Sequence, residues 1–136
     1  MCNKKIDSKQ IQVNTAALLM LVAHADDKIE ENELSSIKEI LIDFFNIDLP
    51  ASEQLIIDSQ ELIKKSTDIY QIGSIVKESM TSQDLIDLLC CIFEVAYADE
   101  NLHFMERHII KKIVNILNID NEDMIKANKN IKDYLI

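Results

Sequence analysis

The sequence predicts an all-α fold, a single compact bundle of about seven helices, on three observations. Apolar residues recur at helical spacing along most of the chain, and no stretch alternates with period two over a strand's length. The 136 residues include one Gly and one Pro, too few for a set of hairpins or Gly-rich phosphate loops. A motif also occurs twice, 73 residues apart. Val22-Ala23-His24-Ala25-Asp26 and Val95-Ala96-Tyr97-Ala98-Asp99 each continue with an acidic residue, then Ile29 or Leu102, then Glu33 or Glu106. Each copy follows an apolar run and precedes a run of helical period, and both of those runs close on Asn-Ile-Asp, at Asn46–Asp48 and Asn118–Asp120. The motif therefore predicts two repeated helix–acidic loop–helix units within one domain spanning residues 1–136.

Residues 1–7 read as a frayed polar start. A first helix is expected from Ser8, a candidate cap, to Ala25. Ala16 to Ala23 are apolar on every face, which makes this helix central. A second helix, Glu31 to Phe45, carries Leu34, Ile37, Leu41, Phe44 and Phe45 on one stripe. Pro50 opens the third, because its fixed φ suits a first turn and its missing N–H goes unmissed there. That helix turns Leu55, Ile56, Leu62 and Ile63 inward and fades near Ser66-Thr67. Asp68 caps a shorter fourth helix with Ile69, Ile72, Ile75 and Val76 as its apolar face; Gly73 either weakens it or admits a close neighbour. Thr81 or Ser82 caps the fifth, whose Leu85 to Ala98 form a second apolar, central segment. The sixth, Phe104 to Leu117, buries Ile109, Ile110, Ile113, Val114 and Leu117. A seventh starts at Asp120 or Asn121 and runs through Met124, Ile125 and on toward Leu135.

Composition narrows the functions. A net charge of −10 opposes nonspecific binding to nucleic acid, whose phosphates call for a basic surface, and suits cations or basic partners. An apolar content of 48% opposes disorder. The longest apolar run, Ala16 to Ala23, is far short of the ~20 residues that span a bilayer, and no signal peptide is apparent, so a cytoplasmic location is expected. Cys90 and Cys91 are neighbours that diverge by about 100° on a helix and read as reduced core thiols. The chain offers no phosphate loop, nucleophile elbow or Cys/His pair in a polar setting, so it is not expected to be an enzyme.

The two Ala-Asp motifs resemble those of the TerB-like domains of tellurite-resistance and related bacterial proteins. That family carries Ala-Asp-Gly-x-Ile/Leu-x-x-x-Glu twice, each time after an apolar helix. Here the counterparts are Ala25-Asp26-Asp27-Lys28-Ile29 with Glu33, and Ala98-Asp99-Glu100-Asn101-Leu102 with Glu106. Compact stand-alone bacterial members are similar further: Val95 to Asp99 matches their Val-Ala-Tyr-Ala-Asp, and Asp68-Ile69-Tyr70-Gln71 a mid-chain Asp-Leu-Tyr-Gln. Asp27 and Glu100 stand where the family has Gly, and Lys111-Lys112 where it has paired Arg, which removes bidentate geometry toward an anion. The resemblance implies a helical, non-enzymatic module linked to stress and metal-oxyanion resistance. Related domains occur in membrane-anchored DnaJ-type co-chaperones, which adds a protein partner and peripheral association with a membrane complex to the expectations.

The candidate site is the pair of acidic loops. Asp26, Asp27, Glu30 and Glu33 in the first, and Asp99, Glu100 and Glu106 in the second, offer hard oxygen ligands suited to Ca²⁺ or Mg²⁺. The competing expectation is a purely structural adaptor. Glu33 and Glu106 lie three positions after the candidate N-caps Glu30 and His103, where a carboxylate reaches back to an orphan N–H. A carboxylate-using enzyme is the third alternative, and it needs burial to split the pKa values. Neither loop is an EF-hand, because Glu31 and Phe104 occupy the position of its Gly. His24, His103 and His108 lack zinc spacing. Arg107, His108, Lys111 and Lys112, with Lys126 and Lys129, make the one basic patch.

Overall fold

A computed structural model describes residues 8–23, 31–65, 68–96, 104–120 and 122, without the side chains of 104–106. Every regular element among them is an α-helix: α1 (Ser8–Ala23), α2 (Glu31–Phe45), α3 (Leu49–Lys64), α4 (Ile69–Ser79), α5 (Ser82–Ala96) and α6 (Phe104–Leu117). The expected seventh helix falls on residues outside those described.

α1 is the axis of the bundle and packs against all five other described helices. Its residues Asn14 to Met20, Val22 and Ala23 are buried, as a segment apolar on every face requires. Its most extensive interface is with α3, which buries Ser52, Leu55, Ile56 and Ser59, a stripe at helical spacing. The hydroxyl groups on these surfaces are satisfied within their own helices, whereas buried Asn14 donates its Nδ2 to the Gln10 carbonyl at 2.8 Å and leaves its Oδ1 without a partner among the described residues. Thr15 Oγ1 donates to the Ile11 carbonyl at 2.8 Å, Ser52 Oγ to Leu49 at 2.7 Å and Ser59 Oγ to Ile56 at 2.7 Å. Such bonding lets small hydroxyl side chains sit in an apolar interface without an orphaned donor.

The helix ends follow local chemistry. Asp68 Oδ1 accepts the Gln71 N–H at 2.8 Å and Thr81 Oγ1 accepts the Asp84 N–H at 3.1 Å, so both expected caps are made, with Thr81 rather than Ser82 capping α5. α3 begins one residue before Pro50: Asp48 is its cap, accepting the Ala51 N–H at 2.9 Å, and Pro50 lies inside the first turn. Ser8 is a helical residue of α1 rather than its cap. α2 and α6 both terminate on an Asn in the left-handed region, Asn46 at φ 53 and Asn118 at φ 56. After each, the next amide closes the helix end: Ile47 N–H donates to Ile42 O at 3.2 Å and Ile119 N–H to Val114 O at 3.1 Å.

Two details sharpen the sequence reading. Gly73 is a site of close approach: a Cβ there would overlap Cγ2 of Ile116 and lie 3.3 Å from its Cβ. It lets α4 settle against α6. α5 is not apolar on all sides. Leu85, Leu88, Leu89, Ile92, Phe93, Val95 and Ala96 are buried, but Asp84, Asp87 and Glu94 are exposed on its other face, and Cys90 and Cys91 are only half-buried.

Candidate functional site

Where α2 and α5 run beside each other, acidic side chains of both helices line one groove. α2 contributes Ser36, Glu39, Ile40, Asp43 and Phe44, a stripe at i, i+3, i+4, i+7 and i+8 that is continuous along one helix side. α5 contributes Asp84, Asp87, Cys91 and Glu94, again at helical spacing. Together they line a groove of about 410 Å³ with five carboxylates and, among the described residues, no Lys or Arg. Ile40, Phe44 and Cys91 supply its apolar surface, and Phe44 is steadied by an edge-to-face contact with Phe45 at 5.2 Å. The ion pairs Lys9–Asp58 (3.2 Å) and Lys38–Glu53 (3.4 Å) lie elsewhere.

The electrostatics follow from this crowding. Partial burial raises the Glu94 carboxyl above the usual carboxylate range, and Glu39 and Asp43 across the groove raise it further. Burial, then Glu94, push the Cys91 thiol up to about 12. Burial, then Asp87, raise Cys90 as well. Raised above their ordinary value, both thiols favour the protonated, weakly nucleophilic form at neutral pH.

Of the seven loop carboxylates, Asp26, Asp27, Glu30, Asp99 and Glu100 lie outside the described residues, and Glu106 belongs to the first turn of α6 with its side chain outside them. Glu33 is described. It occupies the first turn of α2, is 2% exposed, and is engaged within the fold. Among the described residues no three His, Cys, Asp or Glu side chains are placed to hold a metal ion. The groove carboxylates are thus spread along two helices instead of converging on a point. The basic residues of α6 are dispersed in the same sense: Arg107, His108 and Lys111 are exposed and Lys112 is half-buried, while Lys126 and Lys129 lie outside the described residues, as do His24 and His103. No described helix is long and apolar enough to cross a membrane.

The sequence reading missed the groove. Its signal was present as acidic residues at i, i+4 on α2 (Glu39, Asp43) and i, i+3 on α5 (Asp84, Asp87), but each set alone reads as a solvated face. Only the packing of α2 on α5 brings them together.

A crystal structure of a protein of unknown function from Porphyromonas gingivalis W83 has the same fold, with a TM-score of 0.69 at 16% identity. The alignment covers 97% of this chain and 95% of that one. No curated protein matches the sequence. Residues 12–129 match the family described as tellurite resistance protein TerB, so that all six described helices fall wholly or largely within the match. The chain is a member of the TerB family.

Proposed function

We propose that this TerB chain is a non-enzymatic binding module of the tellurite- and stress-resistance type, and that it engages a protein partner through the α2/α5 groove. The observation that carries this reading is the set of five carboxylates along two helices, with no Lys or Arg among the described groove residues. A row of separated negative charges beside Phe44 and Ile40 matches a Lys/Arg-rich amphipathic segment, whose cations span the row while its apolar residues meet the floor. It matches a single metal ion poorly, because the carboxylates do not converge. The high pKa values of Cys90 and Cys91 argue the same way against covalent catalysis.

The test is a titration of the protein with a fluorescent Lys/Leu amphipathic peptide and with its Glu/Leu counterpart at low and moderate salt. The Lys peptide should bind with an affinity that falls as salt rises, and Glu39→Lys/Asp43→Lys should weaken it about tenfold or more. Equal binding of both peptides, or no effect of the double substitution, overturns the reading.

A second reading concerns the acidic loops and draws on Glu33. Glu33 is a carboxylate only 2% exposed in the first turn of α2. Ca²⁺ or Mg²⁺ taken by Asp26, Asp27, Glu30 and Glu33, and by Asp99, Glu100 and Glu106, would then act on α2 and α6 directly. Chelator-treated protein should melt several degrees higher with one of these ions at a hundredfold its dissociation constant, ~2.7 kcal/mol, and Asp26→Ala/Asp99→Ala should lose that shift. Identical melts with and without ions leave Glu33 as a structural cap.

A further inference from the structure

A second cavity, sharing no residue with the α2/α5 groove, lies between α1, α3 and α4 and has a volume of about 490 Å³. Val13, Leu62 and Ile75, one from each helix and all half-buried, give it an apolar wall. Exposed Lys9, Gln10 and Gln71 make its polar rim. Lys9 reaches Asp58 of α3 at 3.2 Å, an ion pair that joins two of the three helices beside the opening. An apolar space of this size between the helices of a bundle, with a few polar groups, is an ordinary setting for a small-molecule site.

Asn14 distinguishes this cavity. It lies on the wall at only 4% exposure. Its Nδ2 donates to the Gln10 carbonyl at 2.8 Å. A carbonyl can only accept, so the nitrogen is the atom turned toward it and Oδ1 is the atom left over. Oδ1 is buried, and no described group donates to it. The buried hydroxyls of Thr15, Ser52 and Ser59 all find acceptors, so Asn14 is the exception among its neighbours. A buried acceptor without a donor destabilises a fold, and Leu or Ala at this helical position would carry no such penalty.

We propose that the α1/α3/α4 cavity binds a neutral aliphatic molecule whose amide or hydroxyl head donates a hydrogen bond to Asn14 Oδ1 while its chain lies against Val13, Leu62 and Ile75. The head group follows from the single vacant acceptor. A carboxylate has no hydrogen to donate and would set oxygen against oxygen. An ammonium would bring three donors and a full charge to one acceptor in an apolar setting, at a large desolvation cost. A neutral N–H or O–H meets the requirement. A water molecule could supply the same hydrogen bond, but it has no apolar body and gains nothing from the three wall residues.

Hexanamide, hexanoate and hexylamine share one tail and differ in the head, so titrating each at millimolar concentration into the full-length ¹⁵N-labelled protein separates these cases. Hexanamide should shift the amides of Val13, Asn14, Leu62 and Ile75 saturably, and the two charged analogues should bind about tenfold more weakly, the worth of one hydrogen bond. Asn14→Leu, close in volume but without the acceptor, should bring the three affinities together. Ile75→Phe narrows the cavity from α4 and leaves Asn14 in place; it should weaken hexanamide, and it carries the test if Asn14→Leu does not fold. Absence of saturable shifts with hexanamide, shifts centred away from these three helices, or equal binding of the three heads to the wild-type protein (the result if water alone occupies the cavity) would overturn the proposal. So would a preference for hexanamide that survives unchanged in Asn14→Leu.

Discussion

At Gly73 a single missing side chain sets the spacing of two helices. A methyl group there would overlap Cγ2 of Ile116, and because Ile is branched at Cβ, with that atom also within 3.3 Å, the neighbour has little freedom to rotate away. Gly73→Ala gains helix propensity of ~1 kcal/mol but meets an overpacking cost of ~1–3 kcal/mol. The substitution should lower stability in chemical denaturation by about 1 kcal/mol. In an Ile116→Ala background the sign should reverse, because the clash is gone and only the propensity gain is left. A stabilising Gly73→Ala in the wild-type background would show that α4 and α6 are not held this closely.

The sequence announced this residue but not its meaning. One Gly within an otherwise regular helical pattern signals either a weak point or a close neighbour, and the neighbour lies 43 residues away at Ile116. Asp48 shows the opposite case. Its role as a cap was written locally, in an Asp two residues ahead of Pro50, yet the eye is drawn to Pro50 and to the shared Asn-Ile-Asp. Asn46 and Asn118 were visible only as part of that shared tripeptide, while their left-handed backbone, which few other residues adopt at low cost, explains why Asn stands at both.

At the scale of the element, the helices divide by how much of their register the sequence reveals. α1 is apolar all round, and that alone places it at the centre. α4 is bounded by two side-chain oxygens, Asp68 at its own start and Thr81 at the start of α5, that sit directly before their helices. Asp68→Ala and Asp48→Ala should each cost about 1 kcal/mol, the ordinary worth of an N-cap. Each loss should show in hydrogen exchange as faster exchange confined to the first turn of α4 or α3. α5 was harder to read, because Cys90 and Cys91 extend its apolar run in sequence while Cys91 turns to the groove in the fold. The two neighbours point about 100° apart, so one apolar label cannot serve both.

For the molecule as a whole, a net charge of −10 is distributed unevenly. Five carboxylates gather along the α2/α5 groove, while Arg107, His108 and Lys111 stand exposed on α6. An isolated acidic stripe on one helix is a common solvated face, whereas here two such stripes line one groove. The fold class and the TerB motifs were legible from composition and order alone. The groove was not, because it exists only once α2 has been laid against α5, more than a loop away in sequence. The five loop residues Asp26, Asp27, Glu30, Asp99 and Glu100 drew attention because they are adjacent in sequence. Glu94 escaped it because it joins the Glu39/Asp43 pair only in space.

The central claim, that this TerB module presents the α2/α5 groove to a basic partner, is tested most directly by mapping amide chemical-shift changes as the Lys/Leu peptide is added to ¹⁵N-labelled protein. The account predicts shifts concentrated on the groove faces of α2 and α5, around Glu39, Asp43, Asp87, Cys91 and Glu94, with α3 and α4 unmoved and the changes lost in high salt. Shifts spread evenly over the acidic surface, or centred away from these two helices, would contradict it.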